Sequence, residues 1–438
     1  MAMSRLVLGL VAFVGWGLGH AQSVVDQVNA HQHLGVASCA SSVCHGATQP
    51  FKDSPVWQNE YSVWSDSDPH AKSYQTLLNA ESRAIARNLG LANAATAKIC
   101  LDCHADNPPE SARGDKYLVT DGVGCEACHG GSEQWISSHT SRDSSHADNL
   151  GKGLYPTEEP VARAKLCLTC HMGTRDRMIT HRIMGAGHPR LSFELDTFTW
   201  LNPHYEIDED YVERKGQFNG ARDWAIGQGV AAYNLLDQLT DEKAGWHGIF
   251  PELVLFDCHA CHRVMSGKQW GPRPGTGLGP GVVRLNDANL VMYRHVLSLV
   301  DGAAAGRLRD QTRALHQATT QSRSATMQAA EALKRTLDGS LATVASYDFA
   351  EGSLERILAS IQRDAEGGEF RDFAAAEQAA MAAQSVIVAF DTAGKLDEAK
   401  AERLRVLVDR LYATVEHEDA YRMNDFIGAF RQVVASAR

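Results

Sequence analysis

Ten cysteines in 438 residues fall into five clusters, and every cluster ends in Cys-His. Four read C-x-x-C-H: Cys100-Leu-Asp-Cys103-His104, Cys125-Glu-Ala-Cys128-His129, Cys167-Leu-Thr-Cys170-His171 and Cys258-His-Ala-Cys261-His262. The first is longer, C-x4-C-H, over Cys39-Ala-Ser-Ser-Val-Cys44-His45. Two thiols followed at once by a histidine is what covalent c-type haem attachment requires. The thiols add to the porphyrin vinyl groups, and the histidine is held beneath the iron as proximal ligand. Zinc ribbons also pair cysteines but need no histidine after each pair. A disulfide framework leaves the repeated histidine without a role, and a redox C-x-x-C would sit once on a βαβ unit. The expected cofactors are therefore five covalently attached haem c groups, with His45, His104, His129, His171 and His262 as proximal ligands. In the first cluster Ser41 stands where the usual spacing would place a cysteine. Either both thioethers form across a longer loop or one forms and Cys39 stays free. Cysteine parity favours the former, because a free thiol in an oxidising compartment is a liability.

What binds the other face of each iron decides the chemistry. A second histidine makes the iron a low-spin electron relay, and an open face makes it a site for substrate. Three histidines occupy suitable settings. His70 lies in Trp64-Ser-Asp-Ser-Asp-Pro-His70-Ala, a turn running into a helical stretch from Lys72 to Leu91. His139 follows His129 across Gly130-Gly131, so the chain can turn back over a haem. His188 sits in Gly185-Ala-Gly-His188-Pro189-Arg190, where glycine lets backbone approach a flat cofactor closely. His31, His33, His181, His204, His247 and His259 are further histidines of the same region. Arg175, Arg177, His181 and Arg182, just after the fourth motif, form either an anion-facing cluster or a solvated basic loop that pairs with propionates.

The elements that must carry these residues follow from the rest of the chain. Residues 1–21 read as a signal peptide: Arg5, an apolar stretch from Leu6 to Gly19, and a small-x-small site at Gly19-His20-Ala21 with the cut after Ala21. That implies export to the periplasm. Residues 22–270 hold every motif and form the expected pentahaem domain, in which porphyrins replace much of an apolar core. Arg222 to Thr240 reads as a helix, and Trp200 to Tyr211 as loop. Residues 271–289 are a Gly/Pro-rich linker. Residues 290–438 lack cysteine and are alanine-rich and helically periodic. They predict an antiparallel bundle of four to six helices, broken at Asp338-Gly339, Gly367-Gly368 and Ala393-Gly394, with His295, His316 and His417 on its surface. The fold class is mainly α.

The sequence resembles the multihaem cytochromes that include cytochrome c-554. Trp64 to Ala71, Gly122 to Gly130, Gly185 to Leu195 and Pro251 to Cys258 carry the resemblance, within residues 36 to 270. It implies a mostly helical, haem-cored periplasmic domain with His70 and His188 as distal ligands. The chain departs from that pattern by its fifth motif, its C-x4-C-H first motif and its long carboxyl-terminal extension.

The formal charge of −11 argues against nucleic acid as a partner. Haem propionates make the loaded protein more acidic still, and such a carrier is steered toward basic patches. Two readings follow. One is electron transfer through closely spaced, mostly bis-histidine haems, with periplasmic redox proteins or a membrane quinol-oxidising system as partners. The other is an oxidoreductase acting on a small nitrogen or sulfur compound at one five-coordinate haem. The histidine supply favours the first, and the bundle offers a face for a homo-oligomer or a lid on the haem domain. No nucleophile triad, phosphate loop or nucleotide fingerprint is present.

Overall fold

Helices account for nearly all the regular structure of the computed structural model, which describes residues 23–50, 56–203, 205, 207–216, 218–262, 273–279 and 281–438. The expected signal peptide (residues 1–21), His204 and part of the linker lie outside the described residues. Among the described residues the only sheet is an antiparallel pair, Trp246–His247 with Phe250–Pro251.

Three of the haem motifs end helices: Lys98–His104, Cys125–His129 and Pro160–His171. The i, i+3, i+4 spacing of C-x-x-C-H puts both thiols and the histidine on one helical face, so local geometry alone aims them at a common centre. The fifth motif starts in a 3-10 turn, Cys258–Ala260, which Asp257 caps by accepting from His259 N at 3.2 Å. The first motif is a loop. His45 N returns to Cys39 O at 3.1 Å, and Cys44 N and Gly46 N both donate to Ser41 O. The two extra residues are thus absorbed in an exposed bulge, with Val43 at its surface.

Small apolar clusters support this region. Leu77, Ala86, Ala94, Ala95, Leu101 and Ala105 pack with Cys100, while Val28, Tyr155 and Leu166 pack with Cys128. The main core is different: it is one cluster running from Ala164 to Ala437. Its central element is Gly220–Thr240, with Trp224, Ile226, Leu236 and Leu239 fully buried. The core therefore continues across the 271–289 segment, joining the fourth haem helix to the carboxyl-terminal helices.

Seven helices follow that segment: Ala288–Val300, Gly302–Ala318, Arg323–Ala345, Glu351–Glu366, Phe373–Thr392, Glu398–Ala413 and Met423–Ala437. This exceeds the expected four to six. Asp301 creates an extra boundary by accepting from Ala303 N and Ala304 N at 3.0 and 2.9 Å. The expected break at Asp338-Gly339 does not occur. Gly339 faces open space inside Arg323–Ala345, while Leu337 and Leu341 bury on either side. That packing outweighs the cost of about 1 kcal/mol for an interior glycine. Phe373–Thr392 is long and apolar enough to cross a membrane, but it lies inside the core, with Ala375, Ala376, Ala379 and Ala380 fully buried.

Two further expectations are corrected. The Trp200 to Tyr211 stretch is loop only in its middle: Glu194 caps Leu195–Leu201, Asp208 caps Glu209–Lys215 through Tyr211 N at 2.8 Å, and the described residues between the two helices are irregular. His295 and His316 are buried rather than superficial. His295 Nδ1 meets Ser360 Oγ at 2.9 Å, and His316 Nε2 meets Asp287 Oδ2 at 2.9 Å. Neighbouring helices supply those polar partners, which a one-helix periodicity does not reveal.

Candidate functional site

Four of the five histidines expected as proximal ligands each stand opposite a second histidine. Ring centroids are 6.3 Å apart for His45 and His139, 6.3 Å for His104 and His188, 5.9 Å for His171 and His70, and 6.1 Å for His262 and His181. With metal–imidazole bonds of about 2.0 Å, two rings ligating one metal from opposite sides have centroids roughly 6 Å apart. The spacing fits a metal held between each pair. His129, the fifth proximal histidine, closes its own short helix, and its carbonyl accepts from Tyr155 N at 2.9 Å.

The hydrogen bonds select the ligating atom. A backbone carbonyl can only accept, so His104 donates from Nδ1 to Ser73 O, His139 to Ile136 O and His188 to Pro189 O, at 3.3, 2.6 and 2.7 Å. His45 donates from Nδ1 to Glu60 Oε2 at 3.0 Å, and His70 to Asp68 Oδ1 at 2.8 Å. In all five the remaining nitrogen is Nε2, with its lone pair free for a metal. Burial, with His70 opposite, brings the His171 imidazole down to about 4 and keeps it in the neutral form that a metal requires. Phe193 stacks on its ring at 4.2 Å.

Ser73 ties these parts together. Its Oγ lies 2.7 Å from His70 O and 2.9 Å from His104 O, and it accepts from Val123 N at 3.1 Å. Trp64 Nε1 donates to Val123 O at 3.1 Å, so the turn that carries His70 is fixed against the segment entering the third motif. Gly122 sits at φ +75°, where a Cβ would meet His70 O at 2.6 Å; only glycine lets the two segments approach so closely.

One cavity of about 1570 Å³ connects the first four motifs, and His70, His139 and His188 line it. It exceeds the ~300–1,000 Å³ of an ordinary ligand pocket, and protein interiors are otherwise close-packed. Thiols from different motifs meet across it: Cys39 lies beside Cys125, and Cys103 beside Cys170. Proximity to Cys103 and Arg177 outweighs burial and lowers the Cys170 thiol below its usual range. The attachment edges of motifs one and three, and of motifs two and four, are therefore neighbours. Paired thiols, facing imidazoles and a cavity of this size fit covalently bound haem.

Residues 38–130, which contain the first three motifs, match the family described as cytochrome c554 and c-prime. This segment is cytochrome c554-like. The family is one of haem c electron-transfer cytochromes, so covalent haem c is the cofactor of the c554-like segment. No curated protein and no solved structure matches the chain.

Beyond the c554-like segment, the structure singles out His181, which ranked low among the sequence candidates. Its only sequence signal is its place shortly after the fourth motif, among irons that need ligands. The basic cluster around it is dispersed: Arg175 pairs with Asp237, Arg177 Nη1 reaches Cys170 Sγ at 3.2 Å, and Arg182 donates to Leu89 O at 3.1 Å. Four other described histidines have other partners. His33 is buried, with Nδ1 on Asp106 Oδ2 at 2.8 Å and Nε2 on Val28 O at 3.2 Å. His247 pairs with Glu252, His146 with Glu158, and His259 packs edge-on against Tyr421. The third member of the buried cluster with His33 and Asp106 is Glu126, whose carboxylate accepts from Leu34 N, Gly35 N and Ser132 N at 2.8, 2.7 and 2.8 Å.

Proposed function

We propose that this chain is a periplasmic c-type cytochrome that relays electrons through five closely spaced haems, four of them bis-histidine. The pairs are His45 with His139, His104 with His188, His171 with His70, and His262 with His181. The observation that carries this reading is the set of four facing imidazole pairs at 5.9 to 6.3 Å. The capped Nδ1 atoms support it further, because they leave Nε2 as the donor.

Bound haem supplies the one-electron chemistry. The chain's own work is to hold and tune it. The ten cysteines would fix the porphyrins, the four imidazole pairs would each hold an iron between them, and the neighbouring thiols of different motifs support short distances between haem edges. Two imidazoles at each of those four sites would favour relay over substrate binding there. The acidic chain suits a partner with a basic docking patch, either a periplasmic redox protein or a membrane quinol-oxidising system.

Electron paramagnetic resonance and near-infrared magnetic circular dichroism of the ferric holoprotein, with its intact mass, test this. Five haems by mass and at least four low-spin irons are expected. Fewer than four low-spin irons would sink the relay reading.

A further inference from the structure

Among the five capped histidines, His70 is held differently from the rest. Asp68 is 2% exposed, and one oxygen of its carboxylate accepts from both His70 N at 2.9 Å and His70 Nδ1 at 2.8 Å. Pro69 between them fixes the backbone at the start of the 3-10 turn Pro69–Lys72. Backbone and ring are thus set by a single anionic atom. We propose that Asp68 is a positioning residue that strengthens His70 as an axial ligand and lowers the reduction potential of the haem between His70 and His171. This rests on the bis-histidine reading above.

The physical argument has two parts. A carboxylate accepting the Nδ1 proton pushes electron density toward Nε2 and raises ligand basicity, which favours the ferric over the ferrous iron. Separately, a buried negative charge favours the more positive oxidation state, and little water is present to weaken it. Comparison within the molecule isolates both effects. His104, His139 and His188 are backed by neutral carbonyls, which supply orientation without charge. His45 is backed by Glu60, but that side chain is 37% exposed, so solvent and salt screen it. Among these five histidines, His70 alone has a buried carboxylate on its ring. Arg177, near Cys170 on the attachment side of the same motif, carries the opposite charge and sets the baseline from which Asp68 lowers the potential.

The test is a spectroelectrochemical titration of the holo-cytochrome, comparing wild type with Asp68→Asn and counting low-spin irons in each. One midpoint should shift upward while the other waves and the low-spin count stay as in wild type. Asp68→Ser removes the charge but keeps an oxygen able to cap the turn, and should give the same shift where the asparagine variant folds poorly. Unchanged midpoints with an unchanged low-spin count would overturn the proposal. So would loss of a low-spin iron in both variants, which would make Asp68 a requirement for ligation itself. Failure of the underlying reading is separately visible, since it appears in wild type as fewer than four low-spin irons.

Discussion

Five of the eight facing histidines combine two demands: a ring nitrogen left for a shared centre and a second nitrogen engaged by an acceptor. Where the acceptor is a carbonyl, as for His139 on Ile136, the tautomer follows from chemistry alone, because a carbonyl has no proton to give. His181 is the sharpest residue-scale test. Its partner His262 is exposed, so removing the imidazole opens an iron face without disturbing a packed core. His181→Ala should convert one low-spin centre to a high-spin, ligand-accessible one and leave the other three pairs unchanged by electron paramagnetic resonance. Retention of every low-spin signal would remove His181 from the ligand set.

Short elements, more than long helices, set the relative positions of the haem sites. The turn at Pro69–Lys72 and the segment entering Cys125–His129 meet at Ser73, Val123 and Gly122. A side chain at Gly122 would have to push His70 O and Ser73 Oγ apart, in a backbone conformation that L-residues avoid. Gly122→Ala is therefore expected to cost about 1–3 kcal/mol, read as a lower thermal midpoint. It should also broaden the low-spin signal of the His70 centre, since His70 moves with its carbonyl. A midpoint and spectrum identical to wild type would show that the contact relaxes freely.

On the scale of the whole molecule, the carboxyl-terminal helices hold the haem region from several sides. A buried amide chain runs from Asn289 to Gln228 to Gln378, whose Nε2 donates to Phe193 O, and Phe193 stacks on His171. Arg190, two residues after His188, pairs with Glu377. Arg284 pairs with Asp257, the cap of the fifth motif, and also with Asp372. Arg273, fully buried, is shared by Asp287, Asp372 and Glu369. Burial by itself would push the Asp287 carboxyl up, but Arg273 and His316 override it and hold it far below the usual carboxylate range. A carboxyl depressed on folding contributes stability above its unfolded pKa of ~3.9 and loses it as pH falls through the folded value. Asp287→Asn should therefore be less stable than wild type at neutral pH by about 3–5 kcal/mol, the cost of breaking a buried pair. In denaturant titrations the gap should narrow from about pH 4 downward. A gap that is constant with pH would mean that the Asp287 carboxyl titrates alike in the folded and unfolded protein.

The expected attachment points are legible in the chain because covalent attachment is local chemistry: five repeats of paired thiols and histidine specify their own geometry within one helical turn or loop. A mainly α class followed from helical periodicity for the same reason. The second histidine at each centre is another matter. It comes from roughly 80 to 100 residues away, and nothing in its immediate neighbours names its partner. His70 and His188 could be anticipated from resemblance, and His139 from the glycines before it. The opposition of His181 to His262, the anionic backing of His70 by buried Asp68, and the burial of His295 and His316 became visible only when distant elements met. The continuous core across the 271–289 segment belongs to the same class. Periodicity reports which face of a helix is apolar. Which surface covers that face, and which acceptor meets a ring nitrogen, is decided by the summed packing of the whole chain.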